Sequence, residues 1–179
     1  MSEKSGAVMV WKGVDLSKEI GMFGGNSTPM FRIIAVTDSF GHFAPAIEEY
    51  RKRLGKTLEI VTVKPERSED PKLVVRKETE RIGRYLAEKN VRPLYLDIGA
   101  KTLSTEAFAT EIERRFNRSE GADFLIGGAY GVDFALLSDR ISGTLSLSPM
   151  TLPHSLALLV LCEQIYRVEQ IRKGSGYHH

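Results

Sequence analysis

At 179 residues with 42% hydrophobic content, the chain is long enough for one well-buried core and short for two. Its 25 Lys and Arg against 23 Asp and Glu leave a formal charge of +2, which excludes recognition of a polyanion through net charge and restricts any nucleic-acid site to a local patch. The single cysteine, Cys162, excludes a disulfide framework or a cysteine-based metal site within one chain and fits a reducing, cytoplasmic setting; no run of about 18 apolar residues suggests a membrane span.

Residues 1–30 differ in character from the rest of the chain. Ala7-Val-Met-Val-Trp11 has the composition of a short strand with a docking Trp; equally, the whole stretch reads as a mobile extension or the product of an upstream start codon. It lacks the basic and apolar blocks of a signal peptide. Gly21, Gly24, Gly25 and Asn26-Ser-Thr-Pro29 form a turn-rich junction, so the folded domain is expected over 31–179.

From Phe31 the pattern is regular. Phe31–Val36 reads as a strand buried on both faces, and Phe43, Ile47, Tyr50 and Leu54 then recur at helical spacing, with Pro45 in the first turn. Leu58–Val63 is a second strand. A charged loop from Lys64 to Pro71 leads to a helix over Lys72–Lys89, with Val75, Ile82, Tyr85 and Leu86 on its inner side. Pro93–Asp97 is a third strand, Ser104 caps a helix reaching Phe116, and Ala122–Ile126 is a fourth strand entering Gly127-Gly-Ala-Tyr-Gly131. A short helix over Val132–Leu137 leads to a fifth strand over Thr144–Leu147. Strands alternating with helices imply an α/β fold, a mainly parallel sheet with helices on both faces.

Ligands of such sheets sit beyond the carboxyl ends of the strands. Three loops there are distinctive: Leu96-Asp97, Gly127-Gly128 and Leu145–Leu152, and they are expected to converge. The last is Leu145-Ser-Leu-Ser-Pro-Met-Thr-Leu-Pro-His154, which turns at Pro149 and restarts as the helix Pro153–Lys173. Amides in such a turn and at a helix N-terminus lack partners of their own. The glycine loop has neither dinucleotide nor P-loop spacing, so on local pattern it is either a turn or a ligand cradle.

Three separated blocks carry a resemblance: Leu96-Asp-Ile-Gly-Ala-Lys101 with Leu103–Ala109, then Ile126-Gly-Gly-Ala-Tyr-Gly131, then Leu145–His154 continuing through Glu163-Gln-Ile-Tyr-Arg167 to Tyr177-His-His179. They resemble the ribosomal large-subunit methyltransferase H family, RlmH, of the SPOUT class, over roughly Phe31 to the C-terminus. The resemblance implies a homodimer, a C-terminal trefoil knot, and S-adenosylmethionine held by Leu96, Gly127, Leu147, Ser148, Pro149, Met150, Thr151 and Leu152. It also implies methylation of N3 of a pseudouridine in 23S, large-subunit, ribosomal RNA on the assembled ribosome, without a metal or a membrane.

For the proton that the ring nitrogen must lose, His154, Tyr177 and His178, with His179, are the titratable candidates. His154 reads equally as a helix-start residue bonding the turn. RNA contact would rest on Arg51-Lys52-Arg53 with Lys56, Arg114 and Arg115 with Arg118, or Arg167 with Arg172 and Lys173, each of which also reads as a solvated helix face. The chain departs from the family at Leu158, where an Arg is usual, at Thr37-Asp38, where the first strand usually ends in Gly, and at Gly176, where a Pro is usual; Leu158 removes a positive charge near the implied site. Two other readings remain: a non-catalytic ribosome- or RNA-binding module of the same fold, and an α/β enzyme using a nicotinamide nucleotide.

Overall fold

The structure, a computed structural model, describes residues 8–10 and 30–174. Tyr177 and His178 lie outside the described residues. Five strands run parallel: β2 (Phe31–Val36), β3 (Leu58–Val63), β4 (Leu94–Leu96), β5 (Ala122–Ile126) and β6 (Gly143–Leu145). A sixth, β1 (Val8–Val10), pairs antiparallel with β3, giving the order β1-β3-β2-β5-β4-β6. Of the alternatives open for the first thirty residues, the strand therefore holds for these three.

Helices α1 (Ala44–Leu54), α3 (Thr105–Asn117) and α5 (His154–Arg172) cover one face of the sheet; α2 (Pro71–Lys89) and the short α4 (Phe134–Leu137) cover the other. The side-chain alternation of β2 divides its apolar residues accordingly. Phe31, Ile33 and Ala35 join Ile47, Ile112, Leu161 and Ile165, while Ile34 and Val36 join Ile82, Tyr85, Leu86 and Leu137. Because β2 is covered twice, all six of its residues are buried, which is why all but Arg32 are apolar and the sequence does not alternate.

Element ends follow local chemistry. Asp70 caps α2 by accepting the Lys72 amide, Pro71 fits the first turn, and Asn90 ends the helix in the left-handed conformation. The buried stripe of α2 is Val74, Glu78, Ile82, Tyr85 and Leu86, not one through Val75, which is only half-buried. Two polar residues, Glu78 and Thr79, interrupt the apolar pattern, so periodicity alone selects the neighbouring valine. The helix expected from Val132 begins instead at Phe134, because Asp133 is its cap and accepts the Ala135 amide. Strand β6 stops at Leu145, two residues early: Ser146 leaves the ladder to donate its amide to the Lys101 carbonyl.

α5 is the helix around which the larger core is built. Leu158, Leu161, Cys162, Ile165 and Val168 are each no more than 1% exposed, packing against α1, α3 and the central strands β2 and β5. Leu158 is thus part of the hydrophobic core and not of any charged surface. Leu156, Leu159 and Val160 are only partly covered. From the edge strand β6 the chain returns across the sheet to seat α5 over its middle.

The second residues of three neighbouring strands form a row of charges. Arg32 stands between Glu59 and Asp123 in register, bonding the first at 2.7 Å and the second at 3.1 Å. Burial pushes the Asp123 carboxyl up even beside Arg32, so the row costs desolvation, and its clearest use is to select this strand register over a slipped one. Arg32→Met should therefore lower stability by about 3 kcal/mol in urea denaturation, because Asp123 loses its guanidinium hydrogen bond while still buried. Arg53→Ala, at an exposed pair with Glu49, should cost much less. Equal losses for the two variants would contradict this account of the register.

Candidate functional site

Strands β5, β4 and β6 end side by side, and the loops leaving them bound one open cleft with about 620 Å³ of space. Its walls are Tyr95, Leu96, Asp97 and Ile98 after β4, Ile126, Gly127 and Gly128 after β5, then Ser146, Leu147, Ser148, Met150, Thr151 and Leu152, with His154 and Ala157 from the start of α5. The structure thus brings together Leu96, Gly127, Leu147, Ser148, Met150, Thr151, Leu152 and His154. Pro149 is exposed at the turn and does not line the cleft.

Two features set the shape of the longest loop. The Ser146 hydroxyl, 3% exposed as a residue, donates to the Ser148 carbonyl at 2.8 Å and lies 3.4 Å from the Ile98 carbonyl, joining the β6 loop to the β4 loop. Backbone bonds do the same from either side: Asp97 donates its amide to Leu145, and Ser146 donates to Lys101. Ser148 then accepts the Met150 amide on its hydroxyl, so that amide is already committed to holding the turn. The amides of Thr151 and Leu152 make no hydrogen bond among the described residues, and α5 begins after Pro153 without a side-chain cap. Donors for a ligand are therefore concentrated at Thr151, Leu152 and the first turn of α5.

The glycine loop is tight for steric reasons. Gly131 has φ +75° and donates its amide to the Gly128 carbonyl at 2.9 Å, a backbone conformation that favours glycine. The Tyr95 phenol lies against this loop, 3.4 Å from where a Cβ on Gly131 would stand; burial, then the charge of Asp97, pushes it above its ordinary value, so it stays protonated.

The electrostatics of the cleft are distinctive. No Lys or Arg lines it, while Asp97 contributes a carboxylate, one oxygen of which accepts the Gly99 amide at 3.0 Å. His154 is half-buried, and burial pushes its imidazole below the usual value, so at neutral pH it is an uncharged acceptor or donor. The arrangement suits a largely apolar ligand that carries positive charge; a diphosphate would meet a carboxylate and no cation. A second cavity lies across Ser146 and Leu147, beside Ser104, Thr105, Val160 and Gln164. It has no ionisable lining, and Thr105 and Gln164 satisfy each other there at 2.9 Å.

Sequence reasoning placed Ser146 and Gly128 only as members of their loops, and did not single out Tyr95, Ile98, Ile126 or Ala157. Ser146 carried one signal of its own, a hydroxyl between Leu145 and Leu147 where the strand ends. The basic clusters are largely engaged in internal structure. Arg115 is 3% exposed and donates to the Gly121 carbonyl and the Ser142 hydroxyl, Arg114 is bidentate on Glu111, and Arg172 bonds Glu113 and Glu169 over the Phe116 ring. Arg51 pairs with Glu48, and Arg53 lies over Tyr50 and Tyr166. Among the described residues no group of three or more His, Cys, Asp or Glu could hold a metal, and no helix is long and apolar enough to cross a membrane.

Residues 30–178 match a family described as "Predicted SPOUT methyltransferase". The chain is also similar to proteins named ribosomal RNA large subunit methyltransferase H. It is 40% identical over 151 residues to that of Anaeromyxobacter sp. (strain Fw109-5), covering 82% of this chain and 97% of the relative. Identity is 37% over 148 residues with that of Acidiphilium cryptum (strain JF-5), covering 82% and 92%, and 33% over 155 residues with that of Caldicellulosiruptor saccharolyticus, covering 83% and 99%.

Because one hydroxyl joins two loops of the cleft, Ser146→Ala should leave the fold intact and lower its stability by about 1 kcal/mol. Amide exchange should accelerate at 97–101 and 148–152 and stay unchanged in β2 and β3. Unchanged exchange in both loops would show that the backbone bonds suffice to hold them.

Proposed function

From the premise that this chain belongs to the SPOUT methyltransferase family, and within it groups with the ribosomal RNA large subunit methyltransferase H proteins, we propose that it transfers a methyl group from S-adenosylmethionine to N3 of a pseudouridine in 23S ribosomal RNA. The observation that carries the donor assignment is the cleft itself: apolar walls, a carboxylate, uncharged His154, and no Lys or Arg. A sulfonium donor fits that lining. A nicotinamide dinucleotide, with its diphosphate, does not.

Leu96, Gly127, Leu147, Ser148, Met150, Thr151 and Leu152 would hold the donor, with Pro149 shaping the turn from outside. The residues that line the cleft through small or apolar side chains leave their backbone to make the polar contacts, and the free amides of Thr151 and Leu152 supply donors for the adenine edge or the carboxylate. Asp97 keeps one carboxylate oxygen available after bonding Gly99, which suits a ribose hydroxyl or an ammonium group. When bound, the donor supplies an electrophilic methyl on a positively charged sulfur, and in-line attack by the ring nitrogen discharges it. Orientation is then the main task of the protein.

The nitrogen must also give up a proton. His154, at the edge of the cleft, can take it as a neutral imidazole; Tyr177 and His178 are the other candidates, brought by the C-terminal tail. The half-covered face of α5, with Leu156, Leu159 and Val160, supports a homodimer in which one subunit's tail completes its partner's cleft. A knotted passage of the C-terminal segment, implied by the family resemblance, belongs to the same reading, and the assembled ribosome in the cytoplasm is its proposed place of action.

The test is methyl transfer from labelled donor to ribosomes that lack the modification, with the labelled nucleotide mapped by mass spectrometry. Label at N3 of one large-subunit pseudouridine is the expected result; donor binding without transfer would favour a non-catalytic ribosome-binding module. His178→Ala should reduce turnover by about 100-fold while leaving donor affinity intact if the tail supplies proton transfer. Unchanged turnover would remove the tail from the chemistry.

His154 gives the site a pH signature. Its folded pKa lies below the ordinary imidazole value, so it is neutral above that value and gains charge only as pH falls past it. A proton there repels a sulfonium. Affinity for S-adenosylmethionine should therefore hold through the ordinary imidazole range and weaken only below it, while that for the product S-adenosylhomocysteine, which lacks the sulfonium charge, changes less; His154→Gln should flatten the difference. Parallel pH dependence of the two ligands in the wild type would contradict this placement of His154.

A further inference from the structure

Glu78 is the one buried side chain among the described residues with a polar atom left without a partner. It lies on α2, on the face of the sheet opposite α5, and is 2% exposed. One carboxyl oxygen accepts the Glu66 amide at 2.9 Å; the other, Oε2, is buried and makes no hydrogen bond. What that oxygen does touch is the glycine loop. A Cβ built on Gly128 would stand 2.0 Å from Oε2 and 2.9 Å from Cδ, a separation no side chain can adopt.

The carboxyl is held there from several directions. Arg81 donates to the Glu66 carboxylate and, at 2.9 Å, to the Lys64 carbonyl, which fixes the 64–66 segment that in turn bonds Glu78. The next residue of α2, Thr79, accepts the Asp133 amide at 2.9 Å. Consecutive residues of α2 thus secure the two ends of the loop from Gly128 to Asp133, and Gly131 is closed against Gly128 between them. None of these groups lines the cleft except Gly128. An unpartnered buried carboxyl costs stability, and an apolar side chain would fill the same space without that cost.

We propose that Glu78 is a positioning residue for the cleft: its carboxyl occupies the place of a side chain at position 128 and sets how far the Gly127-Gly128 backbone stands into the donor's binding space. The inference rests on the reading that this cleft holds the methyl donor. It makes α2, which contributes no wall of its own, the support on which the β5 loop is set. The ionisable groups around Glu78 are Glu66 and Arg81; burial pushes the Glu78 carboxyl up, against the Glu66 amide bond and the Arg81 charge. Glutamine matches the carboxyl in shape and size, which makes it the conservative replacement.

The experiment compares S-adenosylmethionine affinity by calorimetry, KM and kcat in the transfer assay, and Tm, across Glu78→Gln, Glu78→Ala, Gly128→Ala and the double variant Glu78→Ala with Gly128→Ala. Glu78→Gln should bind the donor as the wild type does. Glu78→Ala and Gly128→Ala should each weaken donor binding and raise KM by about ten-fold, because the loop is displaced by a fraction of an ångström to an ångström. The double variant should bind more tightly than Gly128→Ala alone, since the new methyl enters the vacated volume. Ile82→Val, buried on the same helix, should lower Tm and leave donor affinity unchanged. Should Glu78→Ala not fold, Glu78→Asp, which withdraws the carboxyl by one methylene, carries the same comparison. A lower Tm with unaltered donor affinity in the Glu78 variants, or no relief of Gly128→Ala in the double variant, would overturn the inference; a wild-type protein that does not bind the donor would instead overturn the reading of the cleft.

Discussion

The parallel pairing of β6 with β4 is the constraint on which the rest of the molecule depends. The ladder itself is short, but its hydrogen bonding continues past the strand ends, from Asp97 to Leu145 and from Ser146 to Lys101, and the Ser146 hydroxyl extends it to the Ser148 carbonyl. These bonds clamp two loops against each other at the rim of the sheet. Without them, the residues from Leu147 to Leu152 would be an ordinary exposed connection, since their side chains supply little packing: Met150 is 74% exposed. With them, the connection becomes a wall that faces the glycine loop after β5.

The same pairing decides the path of α5. A strand placed at the sheet edge leaves the following helix to cross back toward β2 and β5, and the apolar stripe of α5 is what makes that return stable. One helix therefore serves two ends. Its first turn presents His154 and Ala157 to the cleft, and from Leu158 onward it is core. The family resemblance implies an Arg at position 158, and this chain has Leu there. In this chain the position packs in the apolar interior, one turn after His154, and a guanidinium there would need a route out of the core. Leu158 serves the core, and no Lys or Arg lines the cleft.

Much of the fold was legible in the sequence because its signals are local. The largely apolar run of Phe31–Val36, the cap at Ser104 and the strand-end turns each name their element, and their alternation gives a parallel sheet. Convergence of the loops after β4, β5 and β6 was legible too, from the general rule for strand ends. Positions set by tertiary contacts were not. Val74 faces inward in place of Val75 because Glu78 and Thr79 share the buried stripe, and β6 ends early because Ser146 is drawn to Lys101. Nothing in the sequence says that Arg115 is consumed by Gly121 and Ser142, or that Glu78 lies under Gly128, far along the chain. The knot and the acceptor nucleotide came from resemblance, since neither periodicity nor spacing encodes a threaded path.

The central claim is that the loops after β4, β5 and β6 form the methyl-donor site. A crystal structure of the protein with S-adenosylhomocysteine tests it most directly. The predicted result is ligand density in the cleft bounded by Leu96, Gly127 and the 147–152 loop, with hydrogen bonds from the Thr151 and Leu152 amides. Density seated instead in the neighbouring cavity beside Ser104 and Gln164, with the cleft empty, would contradict it.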